Sequence, residues 1–161
     1  MSVSVSFISA SAQELERAEK EPDWAREFVA ELYGSDDYPA PDRPDGGPGK
    51  AFNGLQYLLD EVQAPFEFLM GGDPVGDDGT LFVWSARQVE SVARLFRATP
   101  WPALAAHYDP ERMSAQDVYP AMWRSDPEGS LAWLKEAYED LVAFFAAAAG
   151  RGYGALMNFS F

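Results

Sequence analysis

A single α+β domain is the fold this sequence predicts, and three observations carry the expectation. Short runs of period two stand at both ends of the chain, Ser2-Val3-Ser4-Val5-Ser6-Phe7 and Ala155-Leu156-Met157-Asn158-Phe159-Ser160-Phe161. Between them, apolar residues recur mostly at helical spacing. The 161 residues are 47% hydrophobic and include 11 Phe, 7 Tyr and 5 Trp, which suits one substantial core. The expected architecture is a small mixed or antiparallel sheet that includes both terminal strands, packed with several amphipathic helices, in one domain over residues 1–161.

The elements follow in order. Val3, Val5 and Phe7 alternate with Ser2, Ser4 and Ser6, the pattern of a strand with one apolar and one polar face. Ser11-Ala12-Gln13-Glu14 then offers a capping hydroxyl with a Glu three residues on, predicting a short helix from Ala12 to about Lys20. Pro22 suits a first helical turn, and Trp24, Phe28 and Leu32 recur every four residues beside Val29, so a second helix should end near Gly34. Residues 35–50 hold four prolines, three glycines and four aspartates and read as a long loop inside the domain. Phe52, Leu55, Leu58, Leu59 and Val62 mark a buried helix, after which Pro65 and Gly71-Gly72-Asp73-Pro74 turn the chain. Thr80–Trp84 reads as a strand. Ser85-Ala86-Arg87-Gln88 is a second capping box, opening a helix through Val89, Val92, Ala93 and Phe96 that stops by Pro100.

A short helix is expected at Pro102–His107, then irregular chain around Tyr108-Asp109-Pro110 and Tyr119-Pro120. Over Ser130–Ala149, Leu131, Leu134, Tyr138, Leu141, Phe145 and Ala148 line one face of a helix, and Lys135, Glu136, Glu139 and Asp140 line the other. Gly150 supplies the stop. The last run is a strand expected to pair with the first strand or its neighbour.

Charge narrows the partners. Lys and Arg total 12 against 26 Asp and Glu, a net charge of −14, so nucleic acid and anionic membranes are repelled and a basic protein or a cation fits better. The excess sits early: residues 1–80 carry 17 acidic and 5 basic side chains, net −12, while residues 81–161 carry 9 and 7, net −2. With no cysteine, disulfides, thiolate nucleophiles and Cys-ligated metals are excluded. No basic and apolar leader opens the sequence and no stretch reaches the ~20 apolar residues a membrane span needs, so the cytoplasm is the expected compartment. No cofactor is expected, and the sequence leaves oligomeric state open.

Catalytic signals are sparse. His107 is the only histidine, without a visible partner, and no nucleophile elbow, P-loop, dinucleotide fingerprint or His-Glu-x-x-His occurs. Asp73, Asp77 and Asp78 superficially suggest calcium but lack the alternating acidic positions and terminal Glu of an EF-hand loop, so the segment reads as tight turns. Trp84, Trp101, Tyr119 and Trp123 bracket the irregular part of the second half, where they either pack the core or wall a pocket.

The order and spacing of several motifs resemble the YfbM-like family, small bacterial domains of unknown function. The resemblance rests on Gly49-Lys50-Ala51-Phe52-Asn53-Gly54-Leu55-Gln56-Tyr57-Leu58-Leu59 and on Phe68-Leu69-Met70-Gly71-Gly72-Asp73-Pro74-Val75-Gly76. Trp84-Ser85-Ala86-Arg87-Gln88-Val89, Tyr108-Asp109-Pro110 with Met113, and Val118-Tyr119-Pro120-Ala121-Met122-Trp123 complete it. It covers most of the chain and implies an α+β fold without a known chemistry. The family pattern has Trp where this chain has Phe52 and His where it has Gln56. A proton-transfer role for that histidine could not operate here, because Gln56 can only hydrogen-bond.

Two functional expectations result. The leading one is a non-enzymatic acidic interaction protein, with the immunity type as one concrete version, that engages a basic protein partner through an acidic loop bearing Asp36, Asp37, Asp42 and Asp45. The alternative is a small-molecule-binding protein or hydrolase-like enzyme with an aromatic and carboxylate-lined cleft. Its candidate pocket or interface residues are Gln56, Asp73, Trp84, His107, Asp117, Tyr119 and Trp123.

Overall fold

The two ends of the chain meet inside one sheet. β1 (Ser4–Ala10) pairs antiparallel with β5 (Gly154–Ser160), from Ser4 opposite Ser160 to Ala10 opposite Gly154. The expected pairing of the terminal strands is therefore present. β2 (Asp45–Gly49) lies outside β1, β4 (Leu81–Trp84) lies against β5, and β3 (Asp73–Pro74) forms the far edge. The order is β2-β1-β5-β4-β3 and every pairing is antiparallel. The computed structural model describes residues 2–35 and 43–161.

Helices cover both faces of the sheet. Ile8, Ala10, Leu81, Val83 and Leu156 face a smaller core closed by Leu15 and Ala18 of α1 (Ala12–Lys20) and Ala25 and Val29 of α2 (Pro22–Gly34). Val5, Phe7, Trp84, Ala155 and Met157 face the larger core, which α3 (Phe52–Glu61), α4 (Ala86–Arg97) and α7 (Pro127–Gly150) close. α5 (Trp101–Ala105) and α6 (Pro110–Ala115) add Leu104 and Met113 to it. Both predicted capping boxes form, Ser11 with Glu14 and Ser85 with Gln88. Among the described residues, no helix is long and apolar enough to cross a membrane.

Rings fill the centre of the larger core. Phe66 lies 4.8 Å from Phe68 and 5.2 Å from Phe96, and Phe7 lies 5.2 Å from Phe145, all edge to face. This is the arrangement that ring quadrupoles favour.

Five local expectations are corrected. Residues 45–49, read as loop, form β2, because glycine lets the strand run where a side chain would not fit: a Cβ on Gly47 would stand 2.9 Å from the Ser6 Cα. Asp73-Pro74, read as turn, pairs with β4. The chain after Tyr108 is helical because Asp109 accepts from the Arg112 amide and Pro110 starts α6. α7 begins at Pro127, three residues before the expected start at Ser130, with the Asp126 side chain accepting from the Gly129 amide. β1 itself has a polar face only up to Ser6; further along that face Ile8 and Ala10 are buried because α1 and α2 cover it.

The outer surface of α1 and α2 is fastened by a chain of cation and ring contacts. Trp24 and Phe28 stack at 4.9 Å, Arg17 lies 4.3 Å above Trp24, and Arg43 lies 5.4 Å from the Phe28 ring. Arg43 also donates to both Glu14 carboxylate oxygens, at 3.1 and 3.0 Å, and to the Ser9 carbonyl at 2.8 Å. Burial alone would raise the Glu14 pKa, but hydrogen bonds from Arg43 and the Ser11 amide, with the Arg43 charge, outweigh it and hold the group below the usual carboxylate range. A depressed folded pKa contributes stability above the unfolded pKa, and that contribution is lost as pH falls through the folded value. Arg43→Ala should therefore destabilise by about 1–2 kcal/mol at neutral pH. In denaturant titrations its gap from the parent protein should narrow once Glu14 is protonated; a gap independent of pH would contradict the pairing.

Candidate functional site

The motif residues behind the family resemblance interlock. Gln56, on α3, donates through Nε2 to the Phe66 carbonyl at 2.8 Å and to Asp60 at 2.9 Å, and its Oε1 accepts from the Phe68 amide at 2.9 Å. One turn away, Asn53 accepts from the Tyr119 amide at 2.9 Å. Between them Gly54 leaves room for the Trp123 ring, since a Cβ there would sit 2.7 Å from it. Gly71 and Gly72 pack flat on the Trp84 indole, and Gln88 Nε2 donates to the Gly71 carbonyl at 2.9 Å. These contacts hold loops against α3 and β4. They leave Gln56 fully used.

The structure does not bring the other candidate pocket residues together as a cleft. Trp84 and Trp123 are 3% and 0% exposed, so neither can wall an open site. Trp123 donates from Nε1 to the Val118 carbonyl at 2.8 Å. Tyr119 is half-buried, with its hydroxyl accepting from the Val3 amide at 3.0 Å and its ring 6.4 Å from Phe52. Asp73 and His107 are exposed. Asp117 is exposed too, and its φ of 54° places it in the left-handed region just past α6. There its amide bonds to the Ser114 carbonyl and the Val118 amide to the Met113 carbonyl, which closes the helix end. Asp117 thus serves a turn.

Among the described residues, no group of three or more His, Cys, Asp or Glu is placed to hold a metal ion. Asp78, one of the superficial calcium candidates, instead accepts from Arg26 at 2.8 Å and from the Thr80 hydroxyl at 2.9 Å. These bonds, that from Arg26 first, keep its carboxyl below the usual range.

A recess of about 520 Å³ lies where the end of α2, β2 and α7 meet. Asp45 comes from β2, Asp140 from α7 and Tyr33 from α2, while Val5, Ala143, Phe144 and Ala147 supply apolar wall. A second recess of about 290 Å³ continues from it, sharing Gly47, Gly49 and Asp140 and adding Glu136, Trp133 and Lys50. Burial pushes the Tyr33 phenol up, against the lowering effect of its 2.9 Å bond to the Ser6 hydroxyl, and the Asp45 charge raises it further. The phenol stays neutral, and the groove's charge comes chiefly from carboxylates.

Gly46 faces Phe144 across this groove; a side chain there would meet the Phe144 Cβ at 3.5 Å, an ordinary contact, so the tight glycine of β2 is Gly47 against β1. Of the predicted acidic loop, Asp45 is in the groove, whereas Asp36, Asp37 and Asp42 lie outside the described residues. Sequence reading missed Tyr33, Glu136 and Asp140 as site residues. The available signal was Glu136 and Asp140 one turn apart on the polar face of the long helix.

One lysine, Lys50, lines the groove's extension with Glu136 and Asp140. Arg17, Lys20, Arg26 and Arg43 are each already bonded to a carboxylate within residues 14–78. Glu27 and Glu31 stand exposed one turn apart on α2, an unfavourable like-charge spacing.

Fold and grooves together define a small α+β domain with helices on both faces of an open antiparallel sheet. The chain belongs to the family described as a domain of unknown function (DUF1877), whose model matches residues 1–158. The expectation of a YfbM-like domain is met. The crystal structure of YfbM from Escherichia coli, a protein of unknown function, superposes with a TM-score of 0.69 at 15% identity, covering 98% of this chain and 99% of that one. That likeness shows the shared fold. No curated protein matches the sequence.

Proposed function

We propose that this protein is a non-enzymatic interaction protein that engages a basic protein partner, and that the groove between β2 and α7 receives a cationic side chain of that partner. The observation that carries the reading is the groove's composition: Asp45 and Asp140 stand over an apolar wall of Val5, Ala143, Phe144 and Ala147. Such a surface suits the aliphatic stem and charged head of Lys or Arg. Surrounding acidity would speed the encounter and turn away acidic competitors. Neutralising a basic toxin, as immunity proteins do, is one concrete form of this role.

The test is anisotropy of a short fluorescent Arg- and Lys-rich peptide at low and physiological salt. Salt-sensitive binding is expected, and Asp45→Asn with Asp140→Asn should weaken it by about tenfold or more, the equivalent of about 1.4 kcal/mol. Asp73→Asn with Asp77→Asn makes the same charge change elsewhere and should cost far less. Equal losses for the two pairs, or no binding, would sink the reading.

A further inference from the structure

A separate recess of about 180 Å³ opens between α3 and the turn following Phe66, and it shares no lining residue with the acidic groove. Small-molecule sites usually span about 300–1,000 Å³, so this volume suits one inserted side chain better than a cofactor. Its inner wall is apolar, formed by the buried rings of Phe52 and Phe68. Its lip is apolar and wet. Among the described residues the exposed large apolar side chains are Leu69 at 40%, Met70 at 79% and Phe161 at 66%, and the first two edge this recess. Phe161 connects to the same region, with Phe159 5.5 Å from it and Phe52 5.9 Å from Phe159.

The polar part of the recess carries one sign of charge. Gln56 is committed to the Phe66 and Phe68 backbone and to one oxygen of Asp60, which leaves the other Asp60 oxygen and the Glu67 carboxylate to meet a ligand, and no Lys or Arg lines the opening. A second copy of this chain would bring more negative charge to those carboxylates, since the protein has a net charge of −14. Like charges in juxtaposition oppose that pairing. Methionine and leucine at the lip can repack around different anchors.

We propose that this recess docks a basic segment of a partner protein, which inserts one large apolar side chain between Phe52 and Met70 while an adjacent Lys or Arg meets Asp60 or Glu67. The site stands independently of the acidic groove.

Random peptides displayed on phage, selected against the intact chain and then synthesised, provide the probe. Recovered sequences should combine a large apolar residue with a nearby Lys or Arg. Their affinity should fall about tenfold or more on Leu69→Ala with Met70→Ala, and several-fold on Asp60→Asn with Glu67→Gln. It should be unchanged by Asp45→Asn with Asp140→Asn, which separates this site from the groove. The exposed positions of Leu69 and Met70 keep the fold intact, as an unchanged thermal melt would confirm. Recovery of no binder, or of peptides indifferent to the Leu69 and Met70 changes, overturns the proposal. Self-association of the parent chain in sedimentation that the same double change abolishes also overturns it, because the occupant would then be a second copy.

Discussion

Trp123→Ala lowers the stability of the domain by about 3–5 kcal/mol, the usual cost of truncating a fully buried aromatic side chain. The site has little means of collapsing. Trp123 is 0% exposed, its ring lies against Gly54 and stacks obliquely with Trp133 at 6.4 Å, and its indole N–H bonds to the Val118 carbonyl. Truncation removes the ring and leaves that carbonyl without its donor. For a domain of this size about 1 kcal/mol shifts the midpoint by roughly 2–4 °C, so a loss on the order of 10 °C is expected in a thermal melt. Against a total stability of about 5–15 kcal/mol, that is a large fraction. A loss under about 1 kcal/mol would mean that α3 and α7 close the gap, and that the Gly54 and Trp123 fit is not what fixes their spacing.

That fit illustrates what one sequence can disclose. The helix over residues 52–61 and the aromatic character of Trp123 were both readable from periodicity and composition, as were the two capping boxes and the pairing of the termini. What periodicity does not encode is which distant residues meet. Gly54 reads as a weakness in an isolated helix and becomes intelligible only beside an indole some seventy residues later. β2 was hidden for the opposite reason: its proline and glycines have low strand propensity, and its existence depends on the close approach of β1. The groove was half visible. Asp45 belonged to a conspicuous acidic run, but Asp140 and Tyr33 reach it from α7 and α2, and no local pattern predicts that convergence. The aromatic cleft failed as an idea because large rings beside loops are more often the core itself, as Trp84 and Trp123 are.

Gln56→Leu should destabilise the chain by about 2–4 kcal/mol and do so locally before it does so globally. A leucine keeps the apolar bulk but removes the acceptor of the half-buried Phe68 amide bond and the donor to the Phe66 carbonyl, and a polar group left unpaired away from water costs about 1–3 kcal/mol. The affected segment ends at Leu69 and Met70, so its loosening should also weaken peptide binding at the neighbouring recess. Hydrogen exchange reads this directly: the Phe68 amide should lose protection first, whereas Trp123→Ala should lower protection throughout the larger core. Gln56→His tests the same clamp by its proton count. A neutral imidazole has one donor and one acceptor, matching the Phe66 carbonyl and the Phe68 amide, while the protonated ring has two donors and no acceptor. In an Asp60→Asn background, which removes the carboxylate that position 56 also meets and that would favour the charged ring, the folded state holds that ring's pKa below its unfolded value, so the stability it restores is present above the unfolded pKa and lost as pH falls through the folded one. A Gln56→His variant in that background whose deficit does not deepen on acidification through the imidazole range would show that the side chain at this position fills space and the hydrogen bonds contribute little.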